Sequence, residues 1–254
     1  MALHTILFLF VAGALGGALN AVAGGGSFVA FPALLFSGVA PIAANATNTV
    51  ALWVGTTASS RAYRKHFDIS RRVMIPLTVT SLIGGIAGAY LLLHTPAQTF
   101  LRVLPWLMLG ATLLFIFGGR LAGGSKSGLA HDASTTALTV AVLFELIVAV
   151  YGGYFGGGVG ILNLAMLAAI GMTDIHAMNA LKVVLGILIN GVAVIAFIAW
   201  RAVAWKPGSV VIVGALVGGY FGAHYAQKLP PAWIRAFVIM VGAGMTIYFF
   251  WKAY

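Results

Sequence analysis

Long apolar runs separated by short polar clusters set the pattern of this chain. A helix crosses the hydrocarbon core of a bilayer with about 20 predominantly apolar residues. Eight stretches fit: Thr5–Ala23, Pro41–Ser60, Val73–Leu93, Phe100–Gly118, Thr135–Phe155, Asp174–Trp200, Gly208–Gln227 and Ala232–Phe250. Two further apolar stretches, Ser27–Ser37 and Val159–Ile170, are too short to cross and predict half-helices or re-entrant segments. Spans three and four are joined by His94-Thr95-Pro96, and spans seven and eight by Leu229-Pro230-Pro231. The longest polar connection, Arg120–Ser134, contains Gly123-Gly124-Ser125-Lys126-Ser127-Gly128 and reads as a flexible linker. The pattern predicts an all-α, polytopic transmembrane bundle of about eight spans.

Composition narrows the class. Of the 254 residues, 61% are hydrophobic and 7% charged, and the mean hydropathy is +1.05. A soluble domain carries about 25% charged residues, so a soluble enzyme, a nucleic-acid module and a disordered chain are excluded. The net charge of +10 sits in clusters between apolar runs, where topology explains it better than nucleic acid does. With eight crossings, Arg61, Arg64, Lys65, Arg71, Arg72, Arg120, Lys126, Arg201, Lys206 and Lys252 fall on one side. Arg102, Lys228 and Arg235 fall on the other, and Lys182 lies within a span. This places both termini in the cytoplasm. Cysteine is absent, which removes disulfides, thiolate metal sites and cysteine catalysis. The first 23 residues end in a signal-like Ala21-Val22-Ala23, but they lack a basic n-region and recur in the second half. They are read as a mature span.

The recurrence is a duplication at a period of about 130 residues. Gly24-Gly25-Gly26-Ser27 returns as Gly156-Gly157-Gly158-Val159, each after a glycine pair, Gly16-Gly17 or Gly152-Gly153. Ala44-Asn45-Ala46-Thr47 is followed in the other half by Ala177-Met178-Asn179-Ala180. Gly84-Gly85-Ile86-Ala87-Gly88 matches Gly218-Gly219-Tyr220-Phe221-Gly222, and Pro96-Ala97 with Arg102 matches Pro231-Ala232 with Arg235. The chain divides into a first repeat at 1–122, a linker at 123–132 and a second repeat at 133–254, with four spans in each repeat. If the short stretches counted as crossings, each half would have five spans and the repeats would be inverted. The charge count favours eight crossings and parallel repeats by a few residues.

Repeated halves with interrupted helices are a transporter signature. Glycines cost a helix about 1 kcal/mol each against alanine. Broken backbone at membrane depth is tolerated only against protein or a cavity. The two triplets are therefore expected where the halves meet. The helix that follows each one would present free amides and a positive dipole end, which suit an anion. The competing reading is close helix packing of the GxxxG kind, as at Gly84 and Gly88 or along Gly214, Gly218 and Gly222. Such contacts form within one chain or between two, so a homodimer stays open.

The motif Gly24-Gly25-Gly26-Ser27, Pro32-Ala33-Leu34-Leu35, Gly38-Val39-Ala40-Pro41 and Ala44-Asn45-Ala46-Thr47 resembles the first motif of the sulfite exporter family, the TauE/SafE-type permeases. Gly156-Gly157-Gly158 through Asp174-Ile175-His176-Ala177 to Lys182 resembles the second. The resemblance spans nearly the whole chain. It implies a secondary transporter, an exporter of sulfite, thiosulfate, an organosulfonate or a related small anion, in the bacterial inner membrane. It also implies coupling to an ion gradient. Asn179-Ala180 departs from the first half's Ala46-Thr47, which argues against symmetric coordination by two threonines.

Few polar groups lie in the spans, and each is costly there. Lys182, two turns into span six, is a fixed positive charge for an anion or else a partner to Glu145, the one acid deep in a span. Glu145 is the proton-coupling candidate. Asn20, Asn45, Thr47, Asn48 and Thr49 gather around the first glycine break and supply neutral donors, with Asn45, Asn48 and Thr49 on one helix face. Asn163, Asn179 and Asn190 supply similar groups later, Asn190 reading better as an interhelical hydrogen bond. The candidate substrate site is therefore Asn20, Gly24, Gly25, Gly26, Ser27, Asn45, Thr47, Asn48, Thr49, Gly156, Gly157, Gly158, Asn179 and Lys182. His176 reads as interfacial, and His94, His131 and His224 lack spaced partners, so no metal or other cofactor is expected. The tryptophans, Trp53 among them, read as interfacial anchors. No HExxH or Walker A order occurs, and the triplets do not follow GxGxxG, so no enzyme is expected. A carboxylate permease or anion channel of the same architecture is the alternative.

Overall fold

The computed structural model describes residues 1–22, 24–59, 70–121, 135–169, 172, 174–225 and 231–254. The linker at 123–132, Arg61, Arg64, Lys65 and the Leu229-Pro230 turn lie outside the described residues, as do the side chains of His176 and His224. The described chain is helical: α1 (Leu3–Val22), α2 (Ser27–Phe36), α3 (Pro41–Ser59), α4 (Arg71–His94), α5 (Ala97–Leu121), α6 (Thr135–Tyr154), α7 (Val159–Ala169), α8 (Ile175–Ala199), α9 (Trp205–Tyr225) and α10 (Pro231–Ala253). Proline opens α3 and α10 at the position where its missing N–H leaves no hydrogen bond unmade. Ser70 caps α4 by accepting from the Arg72 amide at 3.3 Å. The short apolar stretches form separate helices, α2 and α7. Among the described residues six helices are long and apolar enough to cross a membrane, namely α1, α4, α5, α6, α8 and α10. Eight were expected. The full-length helix α3, laden with Asn45, Thr47, Asn48, Thr49, Thr56 and Thr57, falls outside this set, as does α9.

Small residues decide how the helices approach. Along α1, Gly13 lies on Val211 and Gly17 on Ala215 of α9, while Gly218 and Gly222 lie on Ala14 and Ala18. Gly84 and Gly88 of α4 make the same kind of seam with Ala149 and Gly153 of α6. In both seams the backbones meet where a Cβ would collide, which is small-residue packing as in membrane helix pairs. The Gly214–Gly218–Gly222 run is thus used within the chain. Outside these seams large apolar side chains are bare: Ile195, Tyr220 and Ile247 are each about 70% exposed. A surface of that kind requires lipid as solvent.

The same contacts fix helix direction. Residue numbers rise together between α1 and α9, and between α1 and α3, where Gly16 meets Leu52 and Asn20 bonds Thr56. They rise together again between α3 and α9, where Thr47 meets Gly208 and Gly55 meets Ala215. So α1, α3 and α9 run parallel, and α2 carries the chain back between α1 and α3. The end of α6 meets the start of α3, because Asn45 Nδ2 donates to the Tyr154 carbonyl at 2.8 Å. The end of α4 is there too, with Thr95 against the Tyr154 hydroxyl. Helices α4 and α6 therefore oppose α3. Arg235 of α10 donates to the carbonyls of Phe115 and Ile116, while Trp106 near the start of α5 bonds Tyr254. Hence α5 and α10 are antiparallel. We call the end where α1, α3, α5 and α9 begin the near face, and the opposite end the far face.

Candidate functional site

Both glycine triplets make the same turn. The Gly24 amide reaches back to the Leu19 carbonyl and the Gly156 amide to the Tyr151 carbonyl, five residues upstream in each case. Gly24 and Gly156 hold φ of +79° and +81°, a left-handed backbone that glycine alone enters without a Cβ penalty. The chain then enters α2 or α7. First-turn amides have no acceptor within their own helix, and those of Gly25, Gly26 and Ser27, like those of Gly157, Gly158 and Val159, find none elsewhere among the described residues. The Tyr151 hydroxyl holds the second turn by donating to the Gly157 carbonyl at 2.6 Å.

A cavity of about 80 Å³ lies between the two turns. Of the residues expected at the site, Asn20, Gly24, Ser27, Thr49, Gly156 and Lys182 line it. Lys182 lays its stem over Gly160, where an added Cβ would sit 3.3 Å from its Cδ. Its Nζ donates to Asn179 Oδ1 at 2.8 Å, so Asn179 stands behind the lysine rather than on the cavity wall. Lys182 and Glu145 do not pair. Glu145 is fully buried between α6 and α4, accepts from Ser81 Oγ at 2.6 Å and has no partner for Oε2.

The other expected residues support the walls. Gly25 packs on Phe115 and Val238, and Gly26 on the backbone of Gly16. Gly157 and Gly158 are not among the lining residues: the Gly157 carbonyl accepts from Tyr151, and Gly158 lies against Ala111. Asn48 donates to Ser27 Oγ at 3.1 Å. Accepting that bond leaves the Ser27 hydroxyl proton for the cavity. Thr47 accepts from the Ala204 amide at 2.9 Å, outside the cavity. Asn45 turns to Tyr154, as described above.

Three lining residues with hydrogen-bonding side chains fall outside the expected site: Trp53, Thr56 and Asn190. Trp53 is not an interfacial anchor. It sits deep in α3, and its Nε1 donates to the Ile187 carbonyl of α8 at 3.0 Å. Trp200, Trp205, Trp233 and Trp251 are each more than half exposed at a helix end. Asn190 donates to the Gly186 carbonyl of its own helix at 2.8 Å and makes no interhelical bond among the described residues. Its one-turn spacing from Gly186 places both on the cavity side of α8.

Among the described residues no carboxylate lines the cavity. Two helix N-termini, one lysine without a counter-charge and several hydroxyl and amide groups converge there. That combination suits a small anion. No group of three or more metal-ligating side chains occurs among the described residues.

The family model described as sulfite exporter TauE/SafE matches residues 9–249. Among curated proteins, the chain is 26% identical over 250 residues to the "Probable membrane transporter protein ORF9" of Sinorhizobium sp, covering 97% of this chain and 93% of that one. It is 26% identical over 243 residues to a "Probable membrane transporter protein" of Haemophilus influenzae, covering 95% and 92%. It is 27% identical over 248 residues to the "Probable membrane transporter protein YfcA" of Escherichia coli, covering 94% and 87%. No solved structure matches.

Proposed function

Since the chain belongs to the sulfite exporter TauE/SafE family of multi-pass membrane transporters, we propose that it exports a small sulfur-containing anion such as sulfite, thiosulfate or an organosulfonate. The anion binds between the two glycine turns. The observation that carries this reading is the cavity where the N-termini of α2 and α7 meet Lys182, with no carboxylate among its described lining residues. An ion gradient drives the export, with Glu145 as the proton-coupling group.

The helix directions support a pair of inverted repeats, not the parallel pair expected from an even crossing count. Equivalent helices α5 and α10 run in opposite senses, and α1 on α9 mirrors α6 on α4. In that arrangement the connections and helix ends at the far face carry Arg61, Arg64, Lys65, Arg71, Arg72, Arg120, Lys126, Lys228 and Arg235. The near face has Arg102, Arg201, Lys206 and Lys252. Lysine and arginine mark the cytoplasmic side, so the far face is cytoplasmic and both termini are outside. This reverses the orientation expected from the sequence.

The test is counterflow of labelled sulfite in proteoliposomes, competed by unlabelled sulfur oxyanions, sulfonates and carboxylates. Saturable exchange blocked by sulfur oxyanions is expected. Exchange with carboxylates alone would move the substrate, and linear unsaturable flux would mark a channel.

A further inference from the structure

The two ends of the cavity are not sealed alike. The contact of Gly219 with Gly55 recurs as that of Gly85 with Ile189, and both members move by 134 residues. At this spacing Asn45 and Asn48 of α3 correspond to Asn179 and Lys182 of α8. Asn45 and Asn48 are 0% and 1% exposed, whereas Asn179 and Lys182 are partly exposed. The same repeat positions are therefore fully buried in the first half and partly exposed in the second.

The near seal has identifiable parts. Asn45 lies one turn of α3 from the cavity-lining Thr49, toward the near face. Its Nδ2 donates to the Tyr154 carbonyl, two residues before Gly156. This bond ties α3, which packs with α1 and α9, to the end of α6, which packs with α4. Beside it Phe31 makes edge contacts with Phe100 and Phe155 at centroid distances of 6.3 and 6.1 Å. All three rings are at most 1% exposed. The triplets are 132 residues apart, so Phe31 corresponds to Asn163 in the second half. Asn163 is buried and neither of its amide atoms has a partner. The second half thus has an asparagine where the first half places a packed ring.

We propose that Asn45 is a gating residue, not a substrate ligand: its bond to the Tyr154 backbone latches the near end of the cavity while the far end stands open. The inference rests on the transport reading for its purpose, but its geometry is independent of the substrate. Alternating access requires this bond to break whenever the near face opens.

The chain has no cysteine, so one introduced thiol reports accessibility cleanly. Val183→Cys places it on the cavity wall, with Ala2→Cys and Ser70→Cys as markers of the near and far faces. Labelling by a membrane-impermeant maleimide is measured from each side in the absence of substrate. Val183→Cys should react from the far face and be protected from the near face. Adding Asn45→Ala or Asn45→Asp should raise the near-face rate about tenfold or more. Two variants are used because Asn45→Ala leaves a void, whereas Asn45→Asp keeps the volume and loses the donor. Near-face protection unchanged in both folded variants would overturn the latch. So would reaction of the Val183→Cys parent, with Asn45 intact, mainly from the near face. If the latch is borne out but no anion exchanges in proteoliposomes, the transport reading fails and the gate assignment stands.

Discussion

An ammonium group within a span is costly unless something compensates it, and among the described residues Lys182 has the Asn179 carboxamide as its one hydrogen-bond partner. Ser27 faces the same space with a hydroxyl proton free. Replacing Ser27 with alanine should weaken anion affinity about tenfold, the scale of one hydrogen bond to a charged group, with little change in fold; titration of the purified variant checks it. Glu145 is set apart from the cavity, so its role separates from binding. Glu145→Gln should keep sulfite exchange at equal pH and lose accumulation driven by a pH gradient. Accumulation at the parent rate would remove Glu145 from coupling. Much at this scale was legible: a lysine deep in an apolar run and a serine after three glycines each stand out against their surroundings. Trp53 and Asn190 were not. Tryptophan near a span end reads as an anchor, and a lone asparagine reads as a helix contact. Only the inward face of α3 and α8 distinguishes them. Asn45 shares its helix face with Asn48, and the sequence does not reveal that a neighbouring helix end occupies that face.

Helix lengths followed from apolar run lengths, and the glycine triplets marked the two re-entrant turns. Their glycines do different jobs. Gly24 has open space around its side-chain position, so Gly24→Ala meets only the left-handed φ of +79°. The expected loss is about 1–2 kcal/mol. At Gly26 an added Cβ would strike the Gly16 backbone, which cannot swing aside as a side chain can. Gly26→Ala should therefore lower the unfolding temperature in detergent more than Gly24→Ala does. The reverse order would mean that α2 does not pack on α1 at that turn. The parallel run of α1 and α3 was hidden because α2 has only 10 residues. A stretch of that length reads as failing to cross, and the sequence does not say that it still reverses the chain.

At the scale of the whole molecule the two halves are interlaced. Each half's first helix makes its main contact with the other half's fourth, α1 with α9 and α6 with α4. Alternating access is then expected to move groups of helices drawn from both halves. The orientation follows from the same geometry. A thiol at Ala2→Cys should be labelled from outside intact cells, and one at Ser70→Cys only after the membrane is opened. The opposite result would return the termini to the cytoplasm. The central claim is that the cavity between the glycine turns binds a small anion through Lys182. Its most direct test is titration of sulfite into the purified protein and into Lys182→Met of matched thermal stability. The account predicts saturable binding to the parent and at least a tenfold loss, about 1.4 kcal/mol or more, in the variant. Equal affinity in the two proteins would contradict it.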